Sequence, residues 1–368
     1  MNQAKYIGMD VHQATISVAV MDSAGKLILE SLLETKAATI LQFLGGLCGS
    51  LLVTFEEGTS AAWLYDLLKP YVANVLVCDP RKNALLKDGS KSDRIDARKL
   101  AELLRGNYLS PIYHGENGVR TLKELARSYL TITKDLTRVM SRIKAVYRSW
   151  AIPYAGPAVY RPCRRAEWLA QIVEPGVRLR VERLYQQLDA LEPLRQGARR
   201  DLLAESRKHR AVKLLRQIPY LMMRAEFCGS IHMLGPIRSA LLVALLETPH
   251  RFRTKRQLWA YSGFGLETHD SGEYRYVRGQ LRRNRERVTV LGLNENHNHD
   301  VKNIFKSAAI SASTRPGPFQ EFYAGLLAKG RRPAMARLTL ARKIAAITLT
   351  IWKKGVCFDA NEIHRQAA

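Results

Sequence analysis

Five carboxylates in the first hundred residues stand where an apolar run ends or a helical pattern begins. They are Asp10, Glu56, Glu57, Asp93 and Asp96. Asp93 and Asp96 are three residues apart, so on a helix they share a face and can point together toward a neighbouring sheet. Carboxylate oxygens are ligands for Mg²⁺, and two such ions about 4 Å apart can hold the attacking and leaving oxygens of a phosphodiester. The pattern therefore predicts a magnesium site for phosphodiester chemistry.

Each of these carboxylates also has an ordinary structural interpretation. Asp93 can cap a helix or interact with its dipole, and Asp96 can pair with Lys99 on the surface. Asp10 can close a turn, and either glutamate can be solvated. Taken singly, every one of them fits such a role at least as well as a catalytic one. Their combination, on this strand order and beside a basic remainder, favours the metal site.

The hydrophobic periodicity around these residues predicts five strands and three helices. The strands are expected at residues 5–10, 15–21, 26–32, 51–56 and 74–78, and the helices at 37–47, 61–71 and 92–105. A three-strand meander followed by alternating helix and strand fits a mixed sheet flanked by helices. We therefore expect an α/β domain over residues 1–112, with the carboxylates at the ends of its strands and at the start of its last helix.

Two long helices are predicted in the middle of the chain, at residues 119–150 and about 177–209. The first helix has a heptad-like apolar seam. The seam residues are Leu122, Ala126, Tyr129, Leu136, Met140, Ile143, Tyr147 and Trp150. Proline and glycine between Pro153 and Pro162 separate the two helices, so we expect an antiparallel coiled-coil arm over residues 113–212 that serves as scaffold or dimer contact. The remainder, residues 213–368, is expected to form a basic, mainly α-helical domain.

Charge is distributed unevenly along the chain. The formal net charge is +25, from 58 basic and 33 acidic residues, yet the first 100 residues contain 11 of each kind. The basic excess of the remainder predicts a polyanionic partner, and phosphate backbones are the commonest one. A soluble basic protein and a protein bound to anionic membranes are the alternatives. The arginines interleave with aromatic and amide residues and form no single amphipathic membrane helix, which favours nucleic acid.

The compartment is predicted from cysteine usage and from hydropathy. The five cysteines are scattered, without the spacing of a zinc site or a disulfide framework, which indicates a reducing cytoplasm. No apolar run is long enough to span a bilayer, and the N-terminus lacks the apolar block of a signal peptide. We therefore expect a cytoplasmic protein with no membrane partner.

Three runs near the N-terminus resemble the DEDD transposases of insertion sequences. They are Gly8-Met9-Asp10-Val11-His12, Phe55-Glu56-Glu57-Gly58 and Lys91-Ser92-Asp93-Arg94-Ile95-Asp96-Ala97. The N-terminal domain of that family is similar to the RuvC Holliday-junction resolvases, so the resemblance implies a ribonuclease-H-like (RuvC-like) fold. It places Asp10, Glu56, Asp93 and Asp96 as the catalytic, metal-binding four. Glu57 stays open as the ligand, although Glu56, two residues before the glycine, matches the pattern better.

The stretches from Arg251 to Gly263 and from Gly265 to Gly272 also resemble this family. The resemblance places Ser271 as the catalytic nucleophile. A serine oxygen that attacks a phosphodiester stores the bond as a protein–DNA ester, so strands can be resealed without external energy. Ser262 is the competing candidate, but it lies in an apolar stretch and is expected to be buried. Without the resemblance, Ser271 beside Gly272 would be assigned to a turn.

Basic residues of the C-terminal region are the predicted nucleic-acid contacts. They are Arg253, Lys255, Arg256, Arg275, Arg278, Arg282, Arg283, Arg331, Arg332 and Arg337. The polar run Asn294–Asp300 contains His297 and His299, which are two residues apart and so do not share one helical face. We expect a polar loop or a helix start there before nucleic-acid contacts, and no metal site.

The resemblance implies a transposase, or site-specific DNA recombinase, that excises and inserts its own insertion sequence. It also implies donor and target DNA as partners, a structured guide RNA, a homo-oligomer (dimer or tetramer), and a bacterial, nucleoid-associated location. One rival is a RuvC-like structure-specific endonuclease with a metal-activated water and no serine intermediate, in which Ser271→Ala remains active. The other is a non-catalytic nucleic-acid binding protein, in which Asp10→Ala leaves function intact.

Overall fold

The computed structural model describes residues 3–82, 92–115, 117–153, 156–218, 234–269, 274–283 and 289–359. The chain divides into two units, Met1–Glu116 and Asn117–Ala368. A further division of the second unit into a helical arm and a C-terminal domain stays a prediction. Among the described residues, no helix has both the length and the apolar character needed to cross a bilayer. The four described cysteines are free thiols.

The first unit contains a five-stranded mixed sheet and helices on its faces. Its strands are β1 Ala4–Val11, β2 Thr15–Met21, β3 Leu27–Glu34, β4 Ser50–Glu56 and β5 Asn74–Cys78. Its described helices are α1 Ala37–Gly45, α2 Ala61–Leu68 and α3 Asp93–Arg105. The strand order is β3-β2-β1-β4-β5; β2 is antiparallel to β1 and β3, and β4 is parallel to β1 and β5. The predicted mixed sheet flanked by helices is confirmed.

Among the element ends that differ from the sequence prediction, two have clear local reasons. Strand β3 continues to Glu34, because Glu34 still pairs with Thr15 of β2. Helix α2 ends at Leu68 rather than at residue 71. Pro70 follows closely, and a proline has no backbone N–H with which to continue the helical hydrogen bonds. Neither difference moves a carboxylate of the predicted site.

The two faces of this sheet are covered by different helices. Ile7, Met9 and Phe55 are fully buried in a core formed with α1 and α2. On the opposite face α3 crosses directly over β1 at Gly8, where an added Cβ would lie 2.1 Å from the backbone oxygen of Ala97. Only glycine permits so close an approach. The contact fixes α3 against β1 two residues before Asp10.

The second unit is mainly α-helical. Its described helices of six residues or more are α4 Arg120–Ser149, α5 Arg165–Ala170, α6 Pro175–Ser206, α7 Arg210–Leu215, α8 Pro236–Leu246, α9 Lys255–Tyr261, α10 His299–Thr314, α11 Pro318–Ala328 and α12 Pro333–Lys354. Its described strands are β6 Leu266–His269, β7 Tyr274–Val277, β8 Gln280–Arg283 and β9 Thr289–Leu293. Strands β6 and β9 form one antiparallel pair, and β7 and β8 form another.

The two predicted long helices are present as α4 and α6, and they pack along each other. Helix α6 begins earlier than predicted, at Pro175, because proline has a backbone φ suited to the first helical position. The hydroxyl groups of Tyr147 and Tyr185 lie 3.1 Å apart between the two helices, within hydrogen-bonding distance. The predicted seam is wrong at Trp150, which is 48% exposed and lies just beyond the end of α4.

Two separate cores hold this helix pair. Ile143 and Tyr147 of α4 pack with Val181 and neighbouring apolar residues of α6 in one core. Leu122 at the start of α4 and Leu202 near the end of α6 belong to the larger core of the unit, with α8, α10 and α12. The base of the helix pair is therefore anchored among the C-terminal helices, whereas the rest of the pair has its own core.

Candidate metal centre

The register of β1 and β4 places two of the predicted carboxylates side by side. Met9 and Phe55 are partners in the parallel pairing, so Asp10 and Glu56 follow at equivalent positions on adjacent strands. Successive side chains on a strand point to opposite faces. Because Met9 and Phe55 are buried against α1 and α2, Asp10 and Glu56 lie on the face that α3 covers.

The first turn of α3 carries the other two carboxylates. Ser92 caps the helix, because its hydroxyl oxygen accepts a hydrogen bond from the backbone N–H of Ile95. Asp93 and Asp96 follow in the first turn, where the helix dipole favours negative charge. The close contact of α3 with β1 at Gly8 brings this turn toward the end of β1 that bears Asp10.

A histidine completes the group that the structure brings together. Nε2 of His12 lies 3.2 Å from Oδ2 of Asp10 and 3.6 Å from Oδ1 of Asp93. One ligand atom from each of these three residues lies within 4.8 Å of the others, and this is the one such group among the described parts of the chain. Glu56 and Asp96 are not members of it. His12 was not predicted as a site residue, although its position two residues after Asp10, just past the end of β1, could have indicated a shared face.

The electrostatics of Asp10 and Asp96 fit a cation. Burial raises the pKa of the Asp10 carboxyl above its ordinary value; His12 opposes this shift, and the Asp93 and Asp96 carboxylates add to it. Oδ1 of Asp96 is buried and accepts no hydrogen bond from any described residue; its nearest ion pair is Lys99, 4.0 Å away. A buried acceptor without a hydrogen bond is costly unless a cation or water satisfies it. The donor set therefore fits a divalent metal ion.

The two adjacent glutamates have different environments. The Glu57 carboxylate lies 2.7 Å from Nε2 of His114, whose ring stacks on Tyr65 of α2. Glu57 therefore points to the α2 face of the sheet, whereas Glu56 lies on the same face as Asp10. The geometry favours Glu56 over Glu57 as the fourth carboxylate.

The predicted nucleophile lies outside the described residues, and its competitor is buried. Ser271 falls between β6, which ends at His269, and β7, which begins at Tyr274. Ser262 is 0% exposed, and its hydroxyl donates a hydrogen bond to the backbone oxygen of Leu258 at 2.7 Å. The prediction that Ser262 is buried is confirmed, and its hydroxyl proton is used in a hydrogen bond to the backbone of α9.

Most of the predicted nucleic-acid contacts are exposed cations. Those with described side chains, all exposed, are Arg253, Lys255, Arg256, Arg278, Arg282, Arg331, Arg332 and Arg337. Arg278 and Gly279 form the two-residue turn of the β7–β8 hairpin, both with positive φ as a type I′ turn requires. Arg275 and Arg283 lie on these two strands; Arg275 is the register partner of Arg282.

The His297 and His299 pair belongs to a helix start, as predicted. Asn298 caps α10, His299 is its first residue, and the two imidazole rings are 4.4 Å apart. Nδ1 of His297 lies 2.7 Å from the backbone oxygen of Asn294, within hydrogen-bonding distance. Among the residues described, no third ligating side chain joins them.

The mixed sheet of the first unit fits the ribonuclease-H-like N-terminal domain of a DEDD transposase. Residues 7–150 match the model of IS110-type DEDD transposases, and residues 226–324 match the model of the IS116/IS110/IS902 transposase family. The chain belongs to the IS110 family of DEDD transposases. Asp10, Glu56, Asp93 and Asp96 fall within the first match and Ser271 within the second. Membership of a DEDD family implies use of a divalent metal ion.

The chain is also similar to a curated relative, the transposase for insertion sequence element IS1533 from Leptospira borgpetersenii. The two are 34% identical over 113 residues, which is 28% of this chain and 32% of the relative. The similarity therefore spans about a third of the relative's length.

Proposed function

We propose that this protein is a DNA transposase that excises and inserts an insertion sequence by cutting and rejoining phosphodiester bonds. The observation that carries the proposal is the convergence of Asp10 and Asp93 at one end of β1, inside the region that matches the DEDD family. The two residues are 83 positions apart in the chain, and the packing of α3 on β1 brings them together.

Asp10, Glu56, Asp93 and Asp96 are the proposed metal ligands, with Mg²⁺ as the ion. Carboxylates of this kind suit a hard divalent cation, and the unsatisfied oxygen of Asp96 supports a ligand role. When bound, Mg²⁺ would offset negative charge on the scissile phosphate. The carboxylates position the ion, and the rigid sheet and helix that carry them limit their movement.

His12 is proposed as a positioning residue for Asp10. Its Nε2 lies 3.2 Å from Oδ2 of Asp10, and a hydrogen bond there would hold the carboxylate in one orientation. His12→Ala should weaken metal binding about 10- to 100-fold, the usual effect of removing a group that orients a ligand. His12→Asn should restore part of it. Mn²⁺ binding followed by electron paramagnetic resonance measures this directly, and unchanged affinity in His12→Ala would remove His12 from the site.

Ser271 is the proposed nucleophile. Its Oγ forms a bond to the phosphorus of the scissile phosphodiester while a phosphorus–oxygen bond of the DNA strand breaks. The hydroxyl proton of the serine is lost to a base, and the departing DNA oxygen takes up a proton. Attack of a DNA hydroxyl on the serine ester reverses these changes and reseals a strand, so no external energy is needed.

The proposed partners are donor and target DNA and a structured guide RNA, bound by a homo-oligomer. The charge of the second unit supports polyanionic partners, because 46 of the 58 basic residues but only 20 of the 33 acidic residues lie in residues 117–368. The exposed arginines Arg331, Arg332 and Arg337 are suited to phosphate contacts.

The test is recombination between donor and target plasmids in bacteria, with the noncoding DNA that flanks the element supplied. Junctions are sequenced for the parent, Asp10→Ala and Ser271→Ala proteins, with Glu57→Gln as a carboxylate control from the same strand end. We expect junctions from the parent and from Glu57→Gln, and none from the other two. Junctions from Asp10→Ala would overturn the metal-dependent proposal, and junctions from Ser271→Ala would overturn the assignment of the serine as nucleophile.

A structure-specific endonuclease is the second candidate. The observation in its favour is that Asp10, His12 and Asp93 are all residues of the first unit, so this carboxylate group needs no residue of the second. A metal-activated water would then replace the serine. This candidate predicts cleavage by Ser271→Ala and no covalent protein–DNA adduct, whereas the transposase predicts an adduct that Ser271→Ala abolishes.

A further inference from the structure

A cleft of about 410 Å³ lies among α4, α6 and α8 of the second unit, and its lining includes none of the proposed site residues. Its polar lining consists of Tyr129, Glu192, Arg195, Gln196, Arg199 and Arg200. Five of these residues belong to the C-terminal half of α6, spaced so that they follow one side of the helix. The volume is within the range of protein sites that bind small ligands, about 300–1,000 Å³.

The single carboxylate in the cleft is already engaged. Nη2 of Arg195 donates a hydrogen bond to Oε1 of Glu192 at 2.6 Å, and Nε2 of Gln196 donates to the same oxygen at 3.3 Å. The negative charge of Glu192 is therefore neutralised by Arg195. Glu192 is not available to balance another cation of the cleft.

Arg199 and Arg200 have no ion pair or hydrogen-bond partner among the described residues, and both are exposed. Other cations of the helix pair use an acidic residue three positions away: Arg127 uses Glu124, and Arg138 uses Asp135. The ring of Tyr129 packs on the larger core, and its hydroxyl likewise has no partner in the described parts of the chain. The cleft thus offers two guanidinium groups and a hydroxyl to a ligand, with no competing anion.

We propose that this cleft binds a phosphate of a nucleic-acid strand through Arg199, Arg200 and the Tyr129 hydroxyl. Guanidinium groups suit phosphate because their donors match its oxygens in pairs, and a tyrosine hydroxyl is a common further donor. The proposal rests on the proposed function only in taking nucleic acid as the source of the phosphate. DNA and RNA share this chemistry, so the test compares them.

The test is binding of fluorescent duplex DNA, single-stranded DNA and single-stranded RNA to the full chain, followed by anisotropy in EDTA. The Arg199→Gln/Arg200→Gln protein is compared with Arg180→Gln/Arg183→Gln, which removes the same charge about 25–30 Å away along α6. We expect the Arg199/Arg200 variant to lose about tenfold in affinity for at least one probe, and its binding constant to depend less steeply on salt, by about 1 to 2 in the log–log slope. The Arg180/Arg183 variant should lose less than about threefold in affinity. The probe that loses the most affinity identifies the kind of nucleic acid that the cleft binds.

Two further variants keep the test independent of folding. Arg199→Lys/Arg200→Lys retains the charge and should lose less affinity than the glutamine variant, and Tyr129→Phe removes the hydroxyl alone and should lose about two- to fivefold. Equal losses in the Arg199/Arg200 and Arg180/Arg183 variants for all three probes would overturn the proposal. EDTA stops metal-dependent chemistry, so this binding assay does not depend on catalysis. Failure of the recombination test would count against the proposed function, whereas failure of the binding test would count against the cleft alone.

Discussion

The two units of this protein handle charge in opposite ways. Residues 1–116 hold 12 basic and 13 acidic residues, whereas residues 117–368 hold 46 and 20. In the first unit, carboxylates from distant parts of the chain are gathered at one end of a sheet. In the second unit, cations are spread over exposed helix and hairpin surfaces. Gathered carboxylates can hold a cation, and dispersed arginines can hold an extended polyanion.

The difference shows what each kind of site demands of the fold. Burial raises the free energy needed to ionise a carboxyl group, and nearby carboxylates add to it, as the raised pKa of Asp10 shows. That arrangement requires close packing, such as the contact of α3 on Gly8. An exposed arginine on α12 needs only a stable helix beneath it. Packing errors should therefore damage the first unit's site much more than the second unit's surface.

The largest expected effect is that of Asp10→Asn, which removes a proposed metal ligand. DNA cleavage should fall at least about 100-fold, since even groups that only orient ligands cost 10- to 100-fold. DNA affinity in EDTA should stay within about twofold, because the charge of the second unit is unchanged. Divalent metal should raise the melting temperature of the parent but not of Asp10→Asn. Equal cleavage by the parent and by Asp10→Asn would contradict the assignment of metal-dependent cleavage to the first unit and of nucleic-acid binding to the second.

Gly8→Ala should be the most damaging change to the fold of the first unit. A Cβ at this position would lie 2.1 Å from the backbone oxygen of Ala97, so α3 must move away from β1. We expect a loss of about 3 kcal/mol in the free energy of unfolding, measured by denaturant titration, together with weaker metal binding. Gly45→Ala is the control, since an added Cβ there has no heavy atom within 4 Å. A stable Gly8→Ala protein with intact metal binding would contradict the role given to this contact.

Replacing Arg331, Arg332 and Arg337 by glutamine should weaken DNA binding without touching the metal site. The slope of the logarithm of the binding constant against the logarithm of the salt concentration should decrease in magnitude by about 2 to 3, if each arginine contacts one phosphate of a duplex. The charge-matched control removes three exposed cations of the first unit: Lys26, Lys36 and Arg81. An equal fall in slope for the control would mean that the first unit holds DNA as strongly as the second.

A small effect is expected of Asp189→Asn on the helix pair. Both carboxylate oxygens of Asp189 accept hydrogen bonds from Arg165, at 2.6 and 2.7 Å, and these bonds lower the pKa of Asp189. A lowered folded-state pKa stabilises the protein above the ordinary aspartate pKa, and this contribution is lost as the pH falls through the lowered value.

Because Asp189 is exposed, the difference between parent and Asp189→Asn should be below about 1 kcal/mol at neutral pH. It should vanish as the pH falls through the lowered pKa, which denaturant titrations over a pH series would measure. Asp135→Asn, on an exposed pair with Arg138 within one helix, should cost less still. A difference that stays constant down to pH values below the pKa would exclude the ion pair as its cause.

Hydrophobic periodicity predicted most of the helices and strands of the first unit, but it failed where packing against another element determines the structure. The five strands and three helices follow from local patterns, because alternation and helical spacing bury one face of each element. Trp150 continues the apolar spacing of α4 but lies beyond the helix end, where its side chain is 48% exposed. The short strands β6 to β9 were not predicted, since strands of four or five residues leave little periodic pattern.

The candidate site was predicted in composition and only partly in geometry. The four carboxylates were identified by residue type and resemblance, whereas His12 entered through its distance of 3.2 Å from Asp10. The choice between Glu56 and Glu57 required the register of β4 against β1 and the contact of Glu57 with His114. A side chain's face is fixed by pairing with another strand, which adjacent residues in the sequence cannot reveal.

The sequence by itself determined the uneven charge, the mixed order of strands and helices, and the residue types that suit a metal ion and a phosphate. These properties are local or additive, so neighbouring residues suffice to set them. The tertiary structure decided which of those residues come together: Asp10 with Asp93 at the end of β1 and the start of α3, and Arg199 with Tyr129 in the lining of one cleft. Such meetings depend on close packing between elements distant in the chain, and packing is a property of the whole unit.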